Sequence, residues 1–79
     1  MTDYAPYQGY LIEPTPKQLR DTGEWTLEIQ IARDFGGERR VQLFIAADRF
    51  KTRGAAVAGG VQFGRAIIDG KVPDVAVRF

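Results

Sequence analysis

The chain has no cysteine and no histidine. Without cysteine there is no disulfide and no thiolate metal site. Without histidine it lacks the commonest general base and a frequent metal ligand. There is no excess of one charge: 11 Lys and Arg stand against 10 Asp and Glu, a net of +1. A dedicated nucleic-acid-binding domain more often has a pI above about 9, and here it is about 8.1. No apolar run approaches the roughly 20 residues of a membrane span. The start, MTDYAPYQGY, has neither the basic nor the apolar region of a signal peptide. A cytoplasmic protein is therefore expected. No GxGxxG, Walker-type or GxSxG pattern occurs. The carboxylates form no convincing acid–base pair or ligand cluster. The expectation is a protein that is not an enzyme, with no cofactor, no metal and no catalytic residue.

Seventy-nine residues make one small domain. A core of this size rarely supplies more than roughly 3–5 kcal/mol. With disulfides and metals set aside, the chain depends on good packing or on self-association. Residues 1–7 lack periodicity and are expected to form a flexible arm, leaving 8–79 as the domain. Gly9–Ile12 is a short strand candidate, stopped by Pro14 and Pro16. A polar loop, PTPKQLRDTGE, follows.

From Trp25 to Ile31 apolar and polar residues alternate, the period of a half-buried strand. Trp25, Leu27, Ile29 and Ile31 form its buried set. From Arg39 to Ala46 a second strand alternates, with Val41, Leu43 and Ile45 as the expected buried set. Opposed residues of a hairpin share a face, so burying both sets requires a loop of odd length. The expected turn is Asp34-Phe35-Gly36, with a five-residue loop over 34–38 as the alternative. Phe44 then falls on an open polar face, beside Thr26, Glu28, Gln30, Arg40 and Gln42.

A helix is expected from about Thr52 to Asp69, capped by Thr52 and ended by Gly70. Ala56, Val57, Gly60, Val61, Phe63, Gly64, Ile67 and Ile68 share its apolar face. Gly60 and Gly64 read as a close approach to the sheet, and Gly59 as tolerated or marking a bend. Val75, Val77 and Phe79 alternate again, as a fourth edge strand or an exposed partner surface. The expected fold is α+β: a three-stranded antiparallel meander with one C-terminal helix on one face.

Charge is uneven along the chain: residues 1–24 sum to −2, 25–47 to zero and 48–79 to +3. Arg33, Arg39 and Arg40 cluster at the hairpin tip, and Arg49, Lys51 and Arg53 flank the helix start. Together with Gln42 and Phe44 these are the candidate binding surface. Each basic cluster also has an ordinary reading, as solvated charge or as partners of Asp34 and Glu38.

From about Gly9 to Val77 the chain resembles a group of small uncharacterised bacterial proteins with the same order of strand, Pro-rich loop, Gly-x-Trp strand and helix ending in Ile-Ile-Asp-Gly. It also resembles the β-β-β-α DNA-binding modules of AP2-type factors and integrase arm domains. Gly23 and Trp25, Arg39 and Arg40, and Phe50 and Thr52 carry that likeness. The second resemblance implies DNA reading by the open sheet face. Two functions follow as expectations. One is a small non-enzymatic interaction module, self-associating as a homodimer or meeting a protein partner. In it the outer sheet face with Phe44 and the tail Val75–Phe79 form the contact. The alternative is DNA binding through that face and the basic hairpin tip, with no membrane partner in either case.

Overall fold

In the computed structural model, residues 4–78 are described. The order is β1 (Ala5–Tyr7), β2 (Tyr10–Pro14), β3 (Trp25–Phe35), β4 (Glu38–Phe50) and α1 (Arg53–Ile68). The strands form one antiparallel meander in sequence order, and α1 lies against β2 and β3. The fold is α+β with one C-terminal helix, but the sheet has four strands, not the three expected. The added strand is β1, where Ala5 pairs with Ile12 and Tyr7 with Tyr10. A short segment containing Pro6 carries too little alternation to announce itself. Its Gln8-Gly9 turn takes φ of 52° and 82°, as a tight hairpin requires.

The β3–β4 hairpin departs from expectation in a way that reverses one strand. Phe35 pairs with Glu38, so the loop is the two residues Gly36-Gly37. Their φ values of 53° and 88° suit a type I′ turn, whose twist matches that of the flanking strands. The register is shifted by three residues from the expected Asp34-Phe35-Gly36 loop and by one from the 34–38 alternative, an odd number in both cases. A one-residue slip sends the whole side-chain set to the other face. Ile29 therefore opposes Phe44, and Ile31 opposes Gln42. Phe44 is buried at 8% exposure, whereas Val41, Leu43 and Ile45 are 51%, 53% and 63% exposed. The expectation of a buried Val41-Leu43-Ile45 set is corrected: two glycines outweigh the wish to bury every apolar residue. Nearer the helix, Leu27 pairs with Ala46 but Thr26 with Arg49, a bulge that inserts Ala47 and Asp48 into β4.

The core is Ile12, Ile29, Ile31, Phe44 and Ile67. From α1, Ala56, Gly60, Gly64 and Ile67 are buried. A Cβ at Gly64 would stand 2.7 Å from Ile12 Cγ2, and one at Gly60 would stand 2.9 Å from Ile29 Cγ2. These glycines are the close contact of helix and sheet. Gly59 has a packing role as well: a Cβ there would meet the Phe50 ring at 2.5 Å. Thr52 Oγ1 accepts from the Ala55 N–H at 3.1 Å, capping the helix. At the other end the Gly70 and Lys71 N–H groups donate to the Ile67 and Ala66 carbonyls, with Gly70 at φ 72°.

Beyond the helix, Val72, Val75 and Val77 pack against the core cluster without forming a strand. The Arg78 N–H donates to the Gln42 side chain at 2.8 Å. The stretch 72–78 thus reaches β4 on the helix side of the sheet. Phe79 lies outside the described residues.

Candidate nucleic-acid interface

The pairing of β2 with β3 ends at Leu11 and Ala32. Residues 33–35 and 38–40 continue past it as a two-stranded ribbon tipped by Gly36-Gly37. Strand parity divides its side chains. Arg33, Phe35, Glu38 and Arg40 fall on the helix side, and Asp34 and Arg39 on the open side. Phe35 is 39% exposed. The Arg33 and Arg40 guanidinium groups lie over its ring at 5.4 and 5.3 Å. Arg33 also lies 4.9 Å over the Tyr10 ring and donates to the Tyr10 hydroxyl at 3.1 Å. These stacks hold the two cations apart in a defined geometry.

On the open side Arg39 donates to both carboxylate oxygens of Asp34, at 2.9 and 3.3 Å. That hydrogen bonding holds the Asp34 carboxyl below its ordinary value and the Arg39 guanidinium above its own. Arg40 approaches Glu38 at 3.8 Å. Both ion pairs are exposed and worth little, so their arginines are available to phosphate. Arg33, Arg39 and Arg40 against Asp34 and Glu38 leave the ribbon at +1.

Beside the ribbon, Tyr7 donates to both carboxylate oxygens of Asp69 at 2.9 and 2.7 Å, tying β1 to the end of α1. That bond, then desolvation, raises the Tyr7 phenol above its ordinary value. Arg65 sits 5.4 Å over the Tyr7 ring. Arginine and aromatic side chains thus continue from the ribbon onto the helix.

The eight candidate residues do not share one surface. Arg33, Arg39 and Arg40 belong to the ribbon. Gln42 and Phe44 lie on the helix side, the first bonded to the Arg78 N–H and the second in the core. Arg49, Lys51 and Arg53 stand at the far end of the sheet, where Arg49 donates to the Ala47 and Asp48 carbonyls. Arg49 lies nine positions beyond Arg40, on the order of 25 Å along a bulged strand. Two features were missed from sequence: Phe35 as an exposed aromatic between arginines, and the outward row Val41, Leu43, Ile45. The Gly36-Gly37 pair was the signal for both.

The open face is mixed. Besides that row it carries Leu11, Glu13, Glu28, Gln30 and Ala32. Glu28 is tied down, accepting from Thr26 Oγ1 at 2.8 Å and lying 3.9 Å from Lys17. Shallow recesses over this face share Leu11, Ala32 and Arg39 in their walls. Among the described residues no cluster of acidic side chains could hold a metal ion, and no helix is long and apolar enough to cross a membrane.

The architecture defines a small antiparallel sheet-and-helix domain whose conspicuous polar feature is an arginine-bearing β-ribbon. A family model described as transcriptional activator HlyU matches residues 2–75. The chain belongs to that family. No curated protein and no solved structure matches it.

Proposed function

We propose that the protein is a non-enzymatic transcriptional regulator that binds DNA through the β3–β4 ribbon, in the cytoplasm where the DNA is. The family match over residues 2–75 carries this reading. The ribbon supplies the physical means. The major groove of B-DNA admits a two-stranded ribbon, and strand readers use it in this way. Guanidinium groups stand on both ribbon faces, Arg39 on one and Arg33 and Arg40 on the other. An inserted ribbon can therefore meet phosphates on both groove walls. Phe35 offers an apolar surface to a thymine methyl or the sugar edge.

The far basic group, Arg49, Lys51 and Arg53, is a secondary phosphate contact in this reading. With roughly 25 Å between the two groups, one duplex can run along the domain, whose longest dimension is 43 Å. Readout by the open sheet face is disfavoured by the residues there, since Glu13, Glu28 and three exposed aliphatic side chains meet a polyanion poorly.

Fluorescence anisotropy with a mixed-sequence duplex tests the proposal. Three phosphate contacts from the ribbon give a log–log salt slope of about −2.7. Replacing Arg33 and Arg40 together by alanine should lower the magnitude of that slope by about 2. Binding unchanged in this double variant would overturn the assignment to the ribbon.

A further inference from the structure

Given DNA binding by the ribbon, on which the assignment rests, we infer that Arg65 of α1 is a further phosphate contact. It meets the groove wall that Arg33 and Arg40 face, and Tyr7 holds it in place. A row of side chains crosses the whole sheet at the base of the ribbon. Tyr7 pairs with Tyr10, and Arg33 pairs with Arg40. Tyr10 and Arg33 stand one step past the last β2–β3 pair, Leu11 with Ala32, and the Arg33 guanidinium donates to the Tyr10 hydroxyl. The row Tyr7–Tyr10–Arg33–Arg40 thus takes one residue from each strand. It lies on the helix side throughout. Tyr7 and Tyr10 pack against the core cluster, and Arg33 and Arg40 share the strand parity of the buried Ile31 and Phe44.

The guanidinium groups on this side are mounted on aromatic rings. Arg33 lies over Tyr10 and Phe35, Arg40 over Phe35, and Arg65 over Tyr7 at 5.4 Å. Stacking uses the face of a guanidinium and leaves its N–H edge for an oxygen acceptor. Arg65 is exposed and, among the described residues, forms no ion pair. Asp69, one helical turn on, instead accepts from the Tyr7 hydroxyl through both carboxylate oxygens. That bond ties the ring beneath Arg65 to the end of α1. An arginine in the last helical turn also suits the negative end of the dipole, but that role needs no aromatic platform. A row of four strands spans about 14 Å. One DNA strand carries a phosphate about every 3.4 Å of helix axis, so a row of this length can follow several phosphates of one backbone. Arg65 extends the ribbon's contact along that backbone to the β1 side of the sheet.

Fluorescence anisotropy of the full chain with a mixed-sequence duplex, over a range of salt, reads the contact. Arg65→Gln should lower the magnitude of the log–log salt slope by about 0.9, the share of one phosphate. Arg65→Lys should keep the wild-type slope. Arg65 is exposed on α1, so both variants should retain the fold, checked by circular dichroism. Tyr7→Leu removes the ring but no charge at neutral pH. It should weaken binding about threefold in the wild-type chain, the worth of one exposed stack, and have no effect in the Arg65→Gln chain. A wild-type slope in Arg65→Gln would overturn the contact. Equal effects of Tyr7→Leu in both chains would overturn the placement by Tyr7. The double variant Arg33→Ala, Arg40→Ala separates this contact from the ribbon itself. A slope lowered there but not in Arg65→Gln removes Arg65 and leaves the ribbon assignment standing. A slope lowered in neither removes both. A slope lowered in Arg65→Gln alone would put DNA on the helix and away from the ribbon, which overturns the shared wall.

Discussion

Replacing Phe44 and Leu43 separately by alanine tests which face of β4 is buried. Phe44 is 8% exposed and belongs to the core cluster with Ile29, Ile31, Ile12 and Ile67. Truncating a buried phenylalanine to alanine costs about 3–5 kcal/mol in lost transfer energy and residual cavity. A domain of this size has roughly 3–5 kcal/mol in hand. Phe44→Ala should therefore be largely unfolded in buffer. Its neighbour Leu43 is 53% exposed, and surface substitutions usually stay within about 0.5 kcal/mol. Leu43→Ala should unfold at nearly the wild-type urea midpoint, measured at low protein concentration so that association does not contribute. Trp25, the one tryptophan, reports the transition by fluorescence. Phe44→Leu, a smaller loss, keeps the comparison quantitative where the alanine variant is unfolded. A Leu43→Ala cost as large as that of Phe44→Leu, or a Phe44→Ala variant as stable as wild type, would instead favour an odd-length hairpin loop.

Other expectations follow from the same contacts. Gly64→Ala gains about 1 kcal/mol of helix propensity but drives a Cβ to 2.7 Å from the fully buried Ile12. Overpacking costs about 1–3 kcal/mol, so urea denaturation should give a net loss of about 1 kcal/mol. Gly54→Ala meets nothing within 4 Å and should instead stabilise by about 0.5–1 kcal/mol in the same assay. Thr52→Ala removes the side-chain cap on the Ala55 N–H and should cost about 1 kcal/mol, with earlier fraying of residues 53–56 in hydrogen exchange. The Asp34 carboxyl titrates below its ordinary 3.8 because Arg39 hydrogen-bonds its charged form. Its contribution is present above that value and lost as pH falls through the lowered one. Carbon-detected NMR titration of Arg39→Gln should move the Asp34 midpoint back up.

The parts legible in the sequence were those where one physical signal acts alone. The period of Trp25–Ile31 located β3, and the apolar stripe with Thr52 and Gly70 bounded α1. The small face at Gly60 and Gly64 also read correctly as a close helix–sheet approach. β4 was misread because two signals compete there. Val41, Leu43 and Ile45 form the more hydrophobic set, while Gln42, Phe44 and Ala46 form the set that Gly36-Gly37 turns inward. Turn chemistry won, and the leftover apolar row became a surface. β1 is too short and too proline-bearing to show a period. The packing of 72–78 depends on β4 presenting Gln42 and Phe44 to the helix side, so the first error hid it. Of the candidate surface, the grouping of Arg33, Arg39 and Arg40 was legible as closeness in sequence, but their stacking with Phe35 was not. The distance from that group to Arg49, Lys51 and Arg53 was not legible either, because it depends on how the strand is extended and bulged.

The central functional claim is that DNA meets the ribbon. An NMR titration of the labelled chain with a mixed-sequence duplex at low salt tests it most directly. The largest amide shifts are expected over residues 33–40, with smaller ones near Arg49–Arg53 and reversal as salt is raised. No shift at near-millimolar duplex, or shifts confined to the open-face positions of β2 and β3, would contradict it.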